Sequence, residues 1–251
     1  MEIKQDWDFV FTNIEDKPAS IFLNLGLNAV APIAFYNKRI SIFIKMKTLL
    51  PNGLSSPEEN EALWEIEDVL VGALEKQHAI YAARVTYNGR RDIFFYAQND
   101  GILVDKAISD AMIQFPSYQY SHKIEEDAEW DFYLNFLYPN PTEIQVIFSR
   151  RVIQNLKKNG DNLTNEREVN HFLYFNNVED RELFLTKISD AGFKVLSQTQ
   201  EKERETEAYT LNISRVDKVD QKSVDGYVLF LCDLAQECNG RYDGWGCGVV
   251  K

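Results

Sequence analysis

Two alternating apolar runs, AIYAARVTY (79–87) and RRDIFFYAQ (90–98), stand two residues apart, and those two residues are Asn88-Gly89. No other stretch restricts the chain as tightly. A two-residue connection suits a type I′ turn, in which both central residues need positive φ, and Asn-Gly supplies it readily. The runs are therefore expected to be antiparallel neighbours in one sheet. Helical patterns flank them. On the N-terminal side, Ser56-Pro57-Glu58-Glu59 offers a capping serine, a proline for the first helical position and a glutamate three residues past the cap. Leu63, Ile66, Leu70, Ala73 and Leu74 follow at helical spacing, with Glu61, Glu65 and Glu67 expected toward solvent. On the C-terminal side, Asp100-Gly101 opens a second helix carrying Leu103, Ala107, Ile108, Ala111 and Met112 on one face. Strands at RISIFIKMKTLL (39–50) and YQYSHKI (118–124) complete the order β-α-β-β-α-β, the split βαβ arrangement of ferredoxin-like folds. WDFVF (7–11) and ASIFLNLGL (19–27) add a hairpin in front, with its turn expected at Asp16-Lys17-Pro18.

The second half follows the same order. After a break at Asn140-Pro141, residues 143–158 read as a helix through Ile144, Ile147, Phe148, Val152 and Leu156. A strand at NHFLYF (170–175) and a helix at 179–191 stopped by Gly192 come next. Two adjacent strands, 193–200 and 207–216, are joined by the charged EKERETE, expected to be a solvated hairpin end. Val224, Tyr227, Val228, Leu231, Leu234, Ala235 and Cys238 make a long helical stripe, and the last strand begins past Asn239-Gly240. The expectation is two tandem α+β domains of ferredoxin-like topology, residues 1–139 and 140–251.

Composition narrows the function classes. The net charge is −12, with 21 acidic and 12 basic side chains in residues 1–139 against 18 and 15 in residues 140–251. Nucleic-acid binding is driven by neutralising phosphates, so an acidic chain points away from direct nucleic-acid binding; from charge alone its surface reads first as a solvated one, with a basic protein partner or mimicry of RNA as alternatives. No apolar run approaches the roughly 20 residues of a membrane span. The opening MEIKQDWDFVF lacks the basic and apolar regions of a signal peptide, which gives a cytoplasmic expectation and no membrane partner. Cys232, Cys238 and Cys247 match no common zinc spacing, and Cys238 is expected as a buried thiol. Gly244-x-Gly246-x-Gly248 lies in a strand with no helix after it, so it fails as a nucleotide loop, and no cofactor is expected. His78, His122 and His171 are far apart with no convincing nucleophile, and His171 reads as a hydrogen-bonded structural histidine.

The second half carries a specific combination: His-Phe-x-Tyr-Phe at His171 to Phe175, Ala-Gly-Phe at Ala191 to Phe193, and Gly-x-Tyr-Asp-Gly-Trp at Gly240 to Trp245. With it, residues 168–251 resemble the bacterial regulator of ribonuclease E activity, subtype B. The resemblance implies a small, acidic, non-catalytic ferredoxin-like protein that binds the endoribonuclease and modulates RNA decay. The first half resembles a family of uncharacterised bacterial domains found fused to that regulator-like module. The residues that carry this likeness are Trp7, Phe9, Tyr118-x-Tyr120, Asp127-x-x-Trp130-x-x-Tyr133 and Leu137-Tyr138-Pro139.

Two sets of residues built around aromatic rings are therefore candidate partner contacts: Tyr242, Asp243, Gly244, Trp245 and Gly246 at the closing strand, and Trp130, Tyr133 and Tyr138 in the connecting segment. Such rings anchor interfaces, but in the connecting segment docking of one domain on the other is the favoured expectation. Asp243-Gly244 reads as a turn that starts the last strand, with Gly246 and Gly248 keeping one side thin. Asp127, Glu129 and Asp131 are weak candidates for a divalent metal, within a cluster better read as a solvated acidic stretch. The leading expectation is a non-catalytic regulatory protein acting on ribonuclease E or another RNA-processing enzyme. The alternative is a hydrolase with a metal-assisted acidic site in a cleft between the domains. Self-assembly through sheet faces or edges is a third expectation.

Overall fold

In the computed structural model, which describes residues 3–98, 101–203 and 206–250, the chain divides into two units, Met1–Pro139 and Asn140–Lys251. Asp100 and Arg204-Glu205, at the centre of EKERETE, lie outside the described residues.

In the first unit, β1 (Trp7–Ile14) and β2 (Lys17–Asn24) form the leading hairpin. Its turn is Glu15-Asp16, both at positive φ (51° and 61°), and Pro18 lies inside β2 opposite Asn13. The expectation of a turn at Asp16-Lys17-Pro18 thus moves back by a residue, because a two-residue turn with positive φ matches the twist of the flanking strands. Strand β2 stops where the Asn24 carboxamide oxygen accepts the Gly26 and Asp6 amides, each at 3.0 Å, and Leu25–Ala29 form a 3-10 turn where strand was expected. Strand β3 (Lys38–Lys45) leads to helix α1 (Pro57–Glu75). Ser56 caps the helix by accepting the Glu59 amide at 3.2 Å. The Glu59 carboxylate does not turn back to close a capping box. It accepts the Lys47 and Thr48 amides at 3.0 and 3.2 Å, which fastens the segment after β3 to the helix start. Strands β4 (Ile80–Tyr87) and β5 (Arg90–Ala97) meet at Asn88 (φ 46°) and Gly89 (φ 81°), followed by α2 (Gly101–Met112) and β6 (Tyr120–Glu126).

The six strands lie in the order β1-β2-β4-β5-β3-β6, all antiparallel. Strands β3 to β6 with α1 and α2 are the split βαβ unit, and the hairpin extends its β4 edge. One face carries Ile40, Ile42, Ile44, Ile93 and Phe95 against Leu63, Ile66, Leu70 and Leu74 of α1 and Ile108 and Met112 of α2. The opposite face is closed by the segment after β6. Trp130 stacks on Tyr96 with centroids 3.8 Å apart and planes 8° from parallel, and its indole N–H donates to the Tyr36 carbonyl at 2.7 Å. The Tyr133 hydroxyl donates to the Asn24 carbonyl at 2.7 Å.

In the second unit, α3 (Pro141–Lys158) precedes β7 (Arg167–Phe175), α4 (Val178–Lys187), β8 (Lys194–Glu203), β9 (Thr206–Asp217), α5 (Gln221–Glu237) and β10 (Gly240–Cys247). The break at Asn140-Pro141 is a helix start with a full capping box: the Asn140 side chain accepts the Glu143 amide and the Glu143 carboxylate accepts the Asn140 amide, both at 3.0 Å. Helix α4 ends at Lys187, four residues before its expected end, and Ile188 swings out of helical geometry at φ −92°, ψ 0°. The sheet order β10-β7-β9-β8, antiparallel throughout, is the ferredoxin-like order. Val169, Leu173, Phe175, Leu211 and Ile213 pack against Phe184, Val224, Val228 and Leu231, joined by Ile153 and Leu156 of α3.

Buried Trp130 has both a stacking partner and a satisfied N–H, so Trp130→Ala opens a cavity and orphans the Tyr36 carbonyl. It is expected to destabilise the first unit by roughly 3–5 kcal/mol. Urea unfolding followed by circular dichroism checks this.

Candidate functional site

The closing strand is built around an irregularity. Tyr242 pairs with Leu173 and Gly244 with Phe172, so Asp243 is an extra residue, a β-bulge within β10. The expected turn at Asp243-Gly244 is corrected accordingly, since the strand has already begun at Gly240. The bulge has a direct consequence for packing. Residues three apart on a regular strand face opposite ways. With Asp243 inserted, Tyr242 and Trp245 both turn into the core and are 5% and 8% exposed. Gly244 takes φ 142°, a conformation that L side chains rarely adopt.

Inside, the two rings meet a polar seam. The Tyr242 hydroxyl lies 2.9 Å from His171 Nδ1, and the Trp245 indole N–H donates to Ser149 Oγ at 3.0 Å. Gln145 Nε2 donates to the Tyr242 carbonyl at 3.3 Å, so helix α3 grips β10 on both sides of the bulge. His171 is fully buried, edge-on to Tyr227 (5.2 Å, 77°) and to Phe193 (5.6 Å, 84°). Burial, with the Arg215 charge second, pushes its pKa down to about 3, so the ring is neutral at physiological pH. This is a structural histidine sealed from solvent. Burial likewise pushes Tyr242 and Tyr227 well above the ordinary phenol range.

Of the expected contacts on this strand, Tyr242 and Trp245 are core residues. Asp243 is exposed, 3.5 Å from Arg241. A Cβ at Gly246 or Gly248 would meet nothing within 4 Å, so the thin side faces open space. The glycine that crowding does require is Gly240, where a Cβ would lie 2.4 Å from the Phe175 ring. Two residues outside the expected set stand on the outer side of the sheet. Phe172, between inward His171 and Leu173, is 41% exposed, and Arg241 lies over the Tyr174 ring at 4.9 Å. Strict alternation in HFLYF was the available signal for Phe172, because its neighbours are the core-facing pair.

The first unit changes the reading of the connecting segment. Trp130 and Tyr133 are fully buried within this unit, so they are not surface contacts. Tyr138 is partly buried, its ring 6.0 Å from that of Tyr133. The Asp127 carboxylate accepts the Tyr96 hydroxyl at 2.6 Å and the Asp131 amide at 2.8 Å, which makes it the cap of the turn that carries Trp130. Glu129 and Asp131 are exposed, and the Asp131 carboxylate accepts from the Asn135 side chain at 3.2 Å. Among the described residues no three His, Cys, Asp or Glu side chains gather so as to hold a metal. Nothing supports the acidic hydrolase site. Glu67, expected in solvent, is buried and paired with Arg84 at 2.7 Å. No helix among the described residues is long and apolar enough to cross a membrane.

Two outcomes follow from the seam. Trp245→Ala should destabilise the second unit by roughly 3–5 kcal/mol, whereas Asp243→Ala should change it by less than about 0.5 kcal/mol, both read from chemical denaturation. Because His171 stays neutral while its unfolded counterpart protonates near 6.5, the unfolded state binds the extra proton between pH 6.5 and 3. Stability then falls on acidification by about 1.4 kcal/mol per pH unit from this group. The stability difference between wild type and His171→Gln should shrink across that window and stay flat above it.

Residues 5–138, more than half of the chain, match the Family of unknown function (DUF695), and residues 147–247 match Regulator of ribonuclease activity B. No curated protein matches. Among solved structures, the chain is similar to a crystal structure of an unknown protein from Galdieria sulphuraria at 9% identity, covering 82% of this chain and 96% of that one. The TM-score of that pair is 0.23, too low to bear on the fold. The chain belongs to the family of unknown function DUF695, and its second unit joins to it a match to the Regulator of ribonuclease activity B family.

Proposed function

We propose that this protein is a non-catalytic regulator whose second unit binds a ribonuclease E-type enzyme or a protein that works with it. The observation that carries the reading is the match of residues 147–247 to Regulator of ribonuclease activity B. The contact surface in this reading is the outer side of β7 and β10. Phe172 supplies an exposed aromatic ring, and Arg241 over Tyr174 supplies a cation already stacked on an aromatic face. Aromatic residues and arginine dominate the energy of protein interfaces. Beside them Gly244 and Gly246 pair with Phe172 and Asn170 and carry no side chain, so a partner's side chain can reach the backbone. The net charge of −12 suits a basic partner and steers association with it. The reading includes a cytoplasmic location.

Affinity capture with purified ribonuclease E, followed by an RNA cleavage assay, tests the proposal. Wild type is expected to bind at micromolar concentration or tighter and to alter the cleavage rate. Phe172→Ala combined with Arg241→Glu should weaken binding more than tenfold with thermal stability unchanged. Absence of both binding and any effect on cleavage sinks the ribonuclease reading. A switch from dimer to monomer in the double variant, without ribonuclease binding, would assign the surface to self-association.

A further inference from the structure

The hairpin β1–β2 lies outside the split βαβ core, and the corner between it and helix α1 is a groove of about 340 Å³. Phe9, Phe11 and Phe22 line it from the hairpin, Trp64 from α1, and Arg84 and Arg91 from β4 and β5. Phe11 is 66% exposed and Trp64 47%, so the mouth of the groove is apolar and open.

The charges at its base do not balance. Glu67 accepts from Arg84 Nη1 with both oxygens, at 2.7 and 2.9 Å, and from the Tyr81 hydroxyl at 2.7 Å. Glu67 is thereby committed to Arg84. Arg91 has only neutral hydrogen-bond partners: Nε donates to Thr86 Oγ1 at 3.0 Å and Nη2 to Asn60 Oδ1 at 2.7 Å. Its Nη1 stands 3.8 Å from Glu67, beyond hydrogen-bond reach, and has no hydrogen-bond partner. The side chain is 3% exposed. Desolvation, with the Arg84 charge second, draws its pKa down to about 10, which leaves it cationic at neutral pH. A buried guanidinium with an idle donor, whose nearest carboxylate is Glu67 shared with Arg84 and 3.8 Å away, is under-satisfied, and an anion would relieve that cost. The capacity left is one idle donor group on a cation that shares Glu67 with Arg84, which fits a monoanion better than a phosphate dianion. The aromatic walls fit an apolar body.

We propose that this groove binds a small amphipathic carboxylate, with the carboxylate toward Arg91 and the apolar body between Phe11 and Trp64. The site lies wholly in the first unit and does not depend on the regulator reading of the second.

Calorimetric titration of the full chain with phenylacetate, its neutral isostere phenylacetamide, and inorganic phosphate tests the inference. Phenylacetate should bind saturably, the amide at least tenfold more weakly, and phosphate not at all in the same range. Trp64→Ala, at a half-exposed position, should weaken phenylacetate binding about tenfold, in line with a lost aromatic contact. Because Arg91→Gln could unfold the unit, the acid-versus-amide contrast and Trp64→Ala carry the test. The Trp64 indole N–H resonance should shift on addition of phenylacetate. No saturation up to about 10 mM, equal binding of acid and amide, binding by phosphate alone, or indifference to Trp64→Ala would each overturn it.

Discussion

A split βαβ sheet buries one face beneath its two helices, and the other face must be covered by something else or left to water. The two units resolve this differently, and most of their differences follow. In the first, the chain after β6 turns back over the sheet and sets Trp130 on Tyr96. Asp127 holds that segment by accepting the Tyr96 hydroxyl and the Asp131 amide. In the second, an exposed Phe172 remains on the outer side. The same fold thereby yields one sheet closed by its own connecting segment and one that leaves an aromatic ring exposed on its outer side.

Buried polar groups show how closely each core is specified. The Asp161 carboxylate is paired with Arg167 and accepts the Leu163 and Val250 amides, both at 2.8 Å, which holds residues 248–250 against the start of β7. Its pKa is driven well below the usual carboxylate range, with the Arg167 hydrogen bond as the largest cause. Glu67 plays a comparable part for Arg84, but Arg91 beside it is left without a carboxylate within hydrogen-bond reach.

The elements were legible where local chemistry and periodicity agreed. Asn88-Gly89 declared its hairpin, and the alternation of helical and strand patterns declared both split βαβ units. What was not legible depended on partners distant in sequence. Glu67 lies one residue from the apolar stripe of α1, and only the position of Arg84 on β4 decides that it is buried. Asp243-Gly244 suits a turn and a bulge equally, and the choice between them is made by Leu173 and Phe172 across the ladder. The aromatic crowd at 130–138 was plain, but the surface it would cover was not, because stacking on Tyr96 joins residues 34 apart in sequence.

The grip of helix α3 on β10 bears on where the second unit can be separated from the rest. The match to the ribonuclease regulator family begins at residue 147, within α3 (Pro141–Lys158). Gln145, which holds the Tyr242 carbonyl, and the Asn140–Glu143 cap both lie ahead of that point. A fragment cut at the family boundary would start in mid-helix with unpaired amides, beside the strand it has to clamp. The smallest piece that keeps this unit intact begins at Asn140, seven residues upstream of where kinship in sequence begins.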